Sequence, residues 1–255
     1  MKKIISYNVN GLRSAITKGF KEWVAENDFD FICLQETKMD ASHADPDYFK
    51  DLNYHSYWHC AEKKGYSGVL ILAKEKATQV QMGTGNDIYD REGRLIVLDY
   101  PGFSLANCYF PSGSSGEERH QFKMQFLDDM YPVFKKMNEQ KNNFIVVGDY
   151  NIVHQGLDIH NPERTDNPSG YRPEERAWLD RWFSEMFHDS FRLLYPDKKE
   201  YSWWSYRAGS YGKDKGWRID YQSVSKPMKD KVKAFRHLRE IRFSDHCPLE
   251  AHYNL

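Results

Sequence analysis

Phe144-Ile145-Val146-Val147-Gly148-Asp149-Tyr150-Asn151 is the stretch on which the fold turns. Four apolar residues, mostly β-branched, fit a short strand buried inside the molecule. The polarity then reverses at once: a glycine is followed by Asp149 and Asn151, residue types that end strands and build turns. Such a run predicts an internal sheet with a carboxylate and an amide delivered at the end of one of its strands.

The same pattern repeats along the chain. Ile4-Ile5-Ser6-Tyr7 leads to Asn8 and Asn10, and Phe29 to Leu34 leads to Gln35-Glu36-Thr37-Lys38. Gly68 to Leu72, Leu95 to Leu98, Phe103 to Tyr109, Ile219 to Val224 and Leu249 to Tyr253 read as further strands, each short and bounded by polar residues or glycine. Tyr109 closes one of them, Asp220 lies in another, and Ser244-Asp245-His246 precedes the last.

Helices are fewer. Ser115-Gly116-Glu117-Glu118 has the form of a capping box, and Phe122, Phe126, Met130 and Phe134 follow on one face. Pro132 is expected to kink or shorten that helix. Pro173 with Glu174 and Glu175 marks a second start, with Trp178, Leu179, Trp182 and Phe183 as its apolar stripe. A third helix is expected from Thr17 to Glu26. Asn161 to Arg172 reads as a surface loop, and there is no repeat or Pro/Ser linker. The expectation is an α/β sandwich of sheets covered by helices, with residues 1–255 as a single domain.

Composition narrows the function classes. The 255 residues carry 36 Lys and Arg against 37 Asp and Glu, so a polybasic, histone-like binder is excluded and any nucleic-acid contact must use locally segregated charge. No apolar run approaches the ~18 residues of a membrane span. Met1 to Asn8 has two lysines and only a short apolar stretch, so no signal peptide is expected. Cys33, Cys60, Cys108 and Cys247 are scattered without zinc spacing, which suits buried apolar packing in a reducing cytoplasm.

The polar residues at strand ends suggest a specific chemistry, because in sheet-based folds ligand sites gather there. Glu36, Asp149 and Asp245, with the amides of Asn8 and Asn151, are oxygen donors suited to a hard cation such as Mg²⁺ or Mn²⁺. His246 beside Asp245, with Asp220 available to orient its ring, suits proton transfer or stabilisation of a phosphate oxygen. Phosphodiester hydrolysis needs a positioned water, a means to activate it and positive charge on the non-bridging oxygens. Taken singly, each residue also fits a plain turn, a surface carboxylate or a buried phenol; the joint pattern argues for one cleft.

The motif set resembles the exonuclease III family of apurinic/apyrimidinic endonucleases, within the deoxyribonuclease I-like endonuclease/exonuclease/phosphatase superfamily. The matching segments are Ser6 to Arg13, Leu34 to Lys38, Gly65 to Val69, Cys108 to Pro111, Gly148 to Asn151, Gly216 to Tyr221 and Ser244 to Pro248, in the family's order and over nearly the whole chain. The resemblance implies a four-layer α/β sandwich in which two packed mixed β-sheets are flanked by helices. It implies a Mg²⁺-dependent enzyme, with Mn²⁺ as a substitute, that cuts duplex DNA 5′ to abasic sites and leaves a 3′-hydroxyl. Trimming of blocked 3′ ends and 3′-to-5′ exonuclease activity go with it, in a monomer that makes no membrane contact.

The roles it implies fall on matching positions. Asn8 and Glu36 lie at the metal with Asp245 near it, and Asp149, Asn151 and His246 complete that set. Asp149 activates or orients the attacking water, and Asn151 holds it or a phosphate oxygen. Tyr109 contacts the scissile phosphate. Asp220 holds His246, which donates to a phosphate oxygen. Arg13, Lys38, Lys63, Lys64, Tyr66 and Ser112 match the phosphate track, while Trp203, Trp217 and Ile219 match an apolar pocket for a flipped abasic sugar. Trp204 is expected in the core. A basic stretch, Lys226, Lys229, Lys231, Lys233, Arg236, Arg239 and Arg242, is either a DNA contact or a solvated helix face. Four departures stand out: Asn10 where some relatives have Asp, Ser112 where Asn or Gln is common, Tyr150 in place of a smaller Leu or Phe, and no arginine at Ser114-Ser115. Two other readings share the residues: a phosphoesterase acting on an inositol phosphate or phospholipid headgroup, and a catalytically dead DNA-binding module. The intact Glu36, Asp149, Asn151, Asp220 and His246 speak against the second.

Overall fold

A computed structural model describes residues 1–141 and 143–255. Two six-stranded sheets carry the molecule. The first runs β11 (Val232–His237), β12 (Leu249–Tyr253), β1 (Lys2–Asn8), β2 (Phe31–Gln35), β4 (Val69–Ala73), β3 (His55–His59). The second runs β5 (Gln79–Met82), β6 (Leu95–Tyr100), β7 (Phe103–Cys108), β8 (Phe144–Asp149), β10 (Asp220–Ser225), β9 (Phe187–Asp189). Each is mixed: β1 pairs parallel with β2, and β7 parallel with β8, while the other pairings are antiparallel. The central strands β2, β4, β7 and β8 are buried along their whole length, which is why they read as unbroken apolar runs.

Three apolar layers result. Ile4, Phe31, Cys33, Val69 and Ile71 of the first sheet interlock with Ile96, Leu98, Leu105, Ile145 and Val147 of the second. Phe126, Leu127, Met130 and Phe134 of α4 (Glu117–Gln140), with Trp178 and Leu179 of α5 (Pro173–Arg181), cover the outer face of the second sheet. Leu12 and Ala15 of α1 (Leu12–Thr17), and Phe20 and Trp23 of α2 (Phe20–Ala25), cover the first. The four-layer α/β sandwich is therefore present.

Amides stitch the sheets together through the apolar layer. Gln35 Nε2 donates to Asn107 Oδ1 at 2.7 Å, and Asn107 Nδ2 donates to the carbonyls of Leu34 and Leu70. Gln222 Nε2 reaches from β10 to the carbonyls of Ile4 and Leu249 at 3.1 and 2.9 Å. Fully buried amides bonded across the sheets in this way favour one alignment, because a slip would break those bonds in a layer without water.

Several elements depart from the sequence expectation. The helix expected from Thr17 to Glu26 is α2, which starts only at Phe20 because Gly19, at φ 100°, caps it; Thr17 instead ends a separate helix, α1, that the sequence reading did not foresee. The capping box at Ser115 to Glu118 does not form: Gly116, at φ 105°, caps α4 without a side-chain hydrogen bond. Pro132 does not end α4, which continues to Gln140; it and Asp128, whose carbonyl loses its donor there, are both exposed. The second helix starts at Pro173 as expected, but ends in a single π-turn at Trp182–Met186. Strands β3, β5, β9 and β11 escaped sequence reading because they are edge strands with polar or exposed residues. The basic stretch is no helix face: Lys226–Lys231 is a 3₁₀ turn and Val232–His237 is edge strand β11. Trp204 is in the core, at 1% exposure.

Gly148 sits at φ 151°, and a Cβ there would lie 1.8 Å from the Cys108 carbonyl oxygen of the neighbouring strand. Gly148→Ala must therefore separate β7 from β8. We expect a loss of about 3 kcal/mol or more in urea unfolding; a loss below ~1 kcal/mol contradicts the close approach.

Candidate active site

The polar strand ends meet at one rim of the sandwich. Asn8 ends β1, Gln35 ends β2 just before Glu36, Tyr109 follows β7, Asp149 ends β8 and Asp220 begins β10. Four of the nine non-glycine residues with positive φ among the described residues gather here: Asn10, Glu36, Lys38 and Asn151, at 46–55°. Each such residue costs about 1 kcal/mol or more, so its surroundings must hold it. Main-chain bonds do so around the first three: Val9 N to Gln35 O at 3.1 Å, Gly11 N to Glu36 O at 2.8 Å and Lys38 N to Ser67 O at 2.9 Å.

A cavity of about 550 Å³ opens at this rim. Glu36, Tyr109, Asp149, Asn151, Asp245 and His246 face it, with Asn10 beside them, Trp203, Trp217 and Ile219 on an apolar side, and Ser112 to Ser114, Ser169 and Arg172 farther out. Two site residues stand behind this layer. Asn8 is fully buried; its Nδ2 donates to Glu36 Oε1 at 2.9 Å and to Asp149 Oδ2 at 2.8 Å, while its Oδ1 accepts from Asn10 N at 2.9 Å. Asp220 Oδ2 accepts from His246 Nδ1 at 2.8 Å and from Ser202 Oγ at 2.6 Å. His246 Nε2 then lies 3.9 Å from Asp149 Oδ2, so Asp220, His246 and Asp149 form a line. These three make the one group of candidate ligand atoms within 4.8 Å of each other among the described residues, and the ring is already committed to Asp220.

The charges of the site are strongly unequal. Burial, with the charge of Asp220, pushes the Asp149 carboxyl up to about 8, against the pull of His246 and the Asn8 amide. Burial alone would lower the His246 imidazolium, but Asp220 at hydrogen-bond distance reverses this and carries it to about 10. Burial also opposes ionisation of Glu36 and Asp245, yet both carboxyls are held below their usual range: Glu36 by Lys38 Nζ at 3.0 Å and by Asn8, Asp245 by His246, Asn10 and Trp203. Burial, then the charges of Glu36 and Asp149, keep the Tyr109 phenol neutral. The site thus presents two ionised carboxylates, an imidazolium and a carboxyl poised near neutrality. Hard oxygen donors of this kind fit a divalent cation.

Comparison with known proteins agrees. Residues 5–246 match the model of the endonuclease/exonuclease/phosphatase family. An exodeoxyribonuclease of Bacillus subtilis is 39% identical over 255 residues, 99% of this chain and 100% of that one. The chain belongs to the endonuclease/exonuclease/phosphatase family, in its exonuclease III branch. A DNA-(apurinic or apyrimidinic site) endonuclease of Dictyostelium discoideum is 36% identical, over 97% of this chain and 69% of its own length. The solved structure of an AP endonuclease from Archaeoglobus fulgidus superposes with a TM-score of 0.91 at 27% identity, covering 100% of both chains. A 3′-5′ exonuclease from Neisseria meningitidis superposes at 0.92 and 26% identity, over 99% of this chain and 100% of the other. The protein is accordingly a nuclease-class hydrolase from a metal-dependent family.

Of the residues the sequence singled out for the family's phosphate track, Ser112 lines the cavity and Lys38 braces Glu36 beside it. Arg13, Lys63 and Lys64 are exposed and lie outside the cavity. Tyr66 is half-buried, and its hydroxyl accepts from Arg94 and Arg119. None of the seven basic residues from Lys226 to Arg242 lines the cavity; Arg236 pairs with Glu250, and Arg239 with Glu200 and Asp214. Sequence reasoning missed Arg94, whose Nη1 donates to the Tyr109 carbonyl at 2.8 Å while its guanidinium sits 4.9 Å from the Tyr109 ring centre. A charged residue directly before the apolar run at Leu95 was the available signal. Asn10 stood out as a departure, yet its amide holds Asp245 Oδ1 at 2.9 Å. Ser202 left no trace in the sequence pattern.

A carboxyl raised in the fold binds its proton more tightly there than in the unfolded chain. Its contribution to stability is full below about 4 and is lost as pH rises to about 8. Asp149→Asn mimics the protonated form. In the presence of a chelator it should be clearly more stable than wild type at pH 8, by a few kcal/mol, with the gain vanishing near pH 4. Denaturant titrations at both values check this; equal stability at pH 8 would contradict the buried, raised carboxyl.

Proposed function

We propose that the protein is a DNA repair nuclease that hydrolyses the phosphodiester 5′ to abasic sites in duplex DNA, leaving a 3′-hydroxyl. The same site would trim blocked 3′ ends and act as a 3′-to-5′ exonuclease. The supporting observation is the joining, in one cavity, of the Asp149–His246–Asp220 line to an apolar slot of Trp203, Trp217 and Ile219. The relatives are named for exonuclease and abasic-site activities, and one structural neighbour is described as a 3′ phosphatase bound to a product DNA hairpin. An apolar slot suits a base-less sugar, because an unpaired, unstacked nucleotide costs least to turn out of the duplex.

The residues divide the work by their protonation. Asp149, near neutrality, is matched to accepting a proton from an attacking water. His246, a cation up to about pH 10, can donate a hydrogen bond to a non-bridging phosphate oxygen, with Asp220 fixing its ring. Asn151 orients the water or holds a phosphate oxygen, and the neutral phenol of Tyr109 donates to the phosphate. A divalent cation, Mg²⁺ with Mn²⁺ as substitute, would be held by Glu36 and Asp245 with Asp149, Asn151 and His246 around them, and would supply positive charge against the phosphate. Asn8 supports this set from behind by bridging Glu36 and Asp149. Ser112 and Lys38 contact phosphates at the cavity, and Arg13, Lys63, Lys64 and Tyr66 contact the duplex beyond it. The chain acts as one catalytic domain, a monomer. Four cysteines without disulfides suit a reducing cytoplasm, and no helix among the described residues is long and apolar enough to cross a membrane.

The test is cleavage of a duplex with one abasic site. A nick 5′ to the site in Mg²⁺ that disappears with chelator is expected; phosphate release from an inositol phosphate, with the abasic duplex uncut, overturns the proposal. Asp149→Asn and His246→Ala should each lower turnover at least ~100-fold in a folded protein, and near-normal rates would remove them from the mechanism. Glu36→Ala should shift the Mg²⁺ titration to higher concentration. Binding should weaken steeply with salt, so a flat salt profile would count against a DNA substrate.

A further inference from the structure

Beneath the Asn151 turn lies an ion pair that takes no part in the chemistry described so far. Lys123 of α4 and Glu175 of α5 are both fully buried, with Nζ 2.6 Å from Oε1. Lys123 Nζ also donates to the main-chain carbonyl of Asn151 at 2.7 Å. Glu175 uses its other oxygen to accept from Gly170 N at 2.7 Å and Arg172 N at 2.9 Å. One pair therefore ties together α4, the Asn151 turn and the 168–172 segment, whose Pro168, Ser169 and Arg172 form a wall of the cavity.

Two facts set this pair apart from ordinary packing. A buried ion pair is rarely worth its desolvation when apolar residues of the same size would serve, so stability alone is a poor reason for it. Its three ends also fall on backbone that needs holding. Asn151 has φ 55°, and its other attachments are local to the rim: its N–H to Asp149 Oδ1 at 2.8 Å, and its Nδ2 to Phe110 O at 3.0 Å. Gly170 approaches the Asn151 carbonyl so closely that a Cβ would meet it at 3.0 Å. The Asn151 carbonyl thus relies on a cation from the helix layer, and an aliphatic side chain cannot supply one.

Building on the proposed nuclease reaction, we propose that Lys123 and Glu175 are positioning residues: through the Asn151 main chain and the 168–172 wall they hold Asn151 in register with Asp149 for the chemical step. Removing Lys123 frees the Asn151 turn without removing a side chain that itself contacts DNA. The defect then falls on turnover rather than on binding.

The experiment compares wild type, Lys123→Arg, Lys123→Met and the double variant Lys123→Met/Glu175→Gln on an abasic duplex with Mg²⁺. It reads kcat, KM and melting temperature. Lys123→Met should lower kcat by ~10-fold or more with KM changed less than ~3-fold, since only the reacting geometry is disturbed. The double variant removes both charges while Gln still accepts from Gly170 and Arg172. It should regain a melting temperature within about 3 °C of wild type yet keep the low kcat, and Lys123→Arg should recover more turnover than Met. A double variant that regains both stability and kcat overturns the inference, as does a loss confined to KM or variants that all turn over at the wild-type rate. If Lys123→Met does not fold, the double variant and Lys123→Arg still decide. A wild type that leaves the abasic duplex uncut sinks the substrate reading instead, and is distinguished from these outcomes by the wild-type lane alone.

Discussion

The structure depends on the alignment of two sheets that share a buried face. Apolar side chains drive the two layers together, but they do not choose a sliding position, because Ile, Val and Leu pack acceptably in many registers. The choice falls to buried amides: Gln35 and Asn107 across the middle, and Gln222 between β10 and the first sheet. An unpaired amide in such a layer costs about 1–3 kcal/mol. Asn8 extends the same logic to the rim, where a residue of the first sheet grips Asp149 of the second. The candidate cleft is the place where this alignment leaves several strand ends side by side.

The site is an electrostatic compromise held in place by that frame. Asp149, Asp220, Glu36 and Asp245 crowd into a water-poor rim, which would be untenable if all four were ionised and unpaired. The molecule distributes the load: Lys38 and the Asn8 amide hold Glu36, His246 answers Asp220, Asn10 and Trp203 hold Asp245, and Asp149 is left with a carboxyl raised to about 8. A group left poised in this way is what general-base chemistry near neutral pH requires. The strained backbone at Asn10, Glu36, Lys38 and Asn151 belongs to the same compromise, since it turns consecutive polar side chains toward one cavity.

Support for the cleft reaches deeper than the residues that line it. Arg94, buried under Tyr109 and held by Glu92, fixes the phenol from behind. Lys123 and Glu175 brace the Asn151 turn from the helix layer, and Ser202 with Asp220 sets the His246 ring. A reacting geometry that tolerates only fractions of an ångström needs such support, because side chains on a loose rim would sample many positions.

Much of this was legible in the chain. Strands β1, β2, β4, β6, β7, β8, β10 and β12 announced themselves as apolar runs, since central strands are buried on both faces and have no room for polar residues. Glu36, Tyr109, Asp149, Asn151, Asp245 and His246 announced themselves as polar breaks at the ends of those runs, and the structure brings all six to one cavity. Edge strands stayed hidden, because half-exposed positions accept almost any residue. Gly19 delayed the start of α2 past the expected Thr17, since a backbone angle leaves no mark in an apolar pattern. What only the tertiary structure decided are the partners that come from far along the chain: Asn8 with Asp149, Arg94 with Tyr109, Asn10 with Asp245, Lys123 with Asn151 and Glu175. Local order determines which side chain a strand end presents, but the distance between two strand ends is set by the packing of whole sheets and helices, which no single stretch of residues contains.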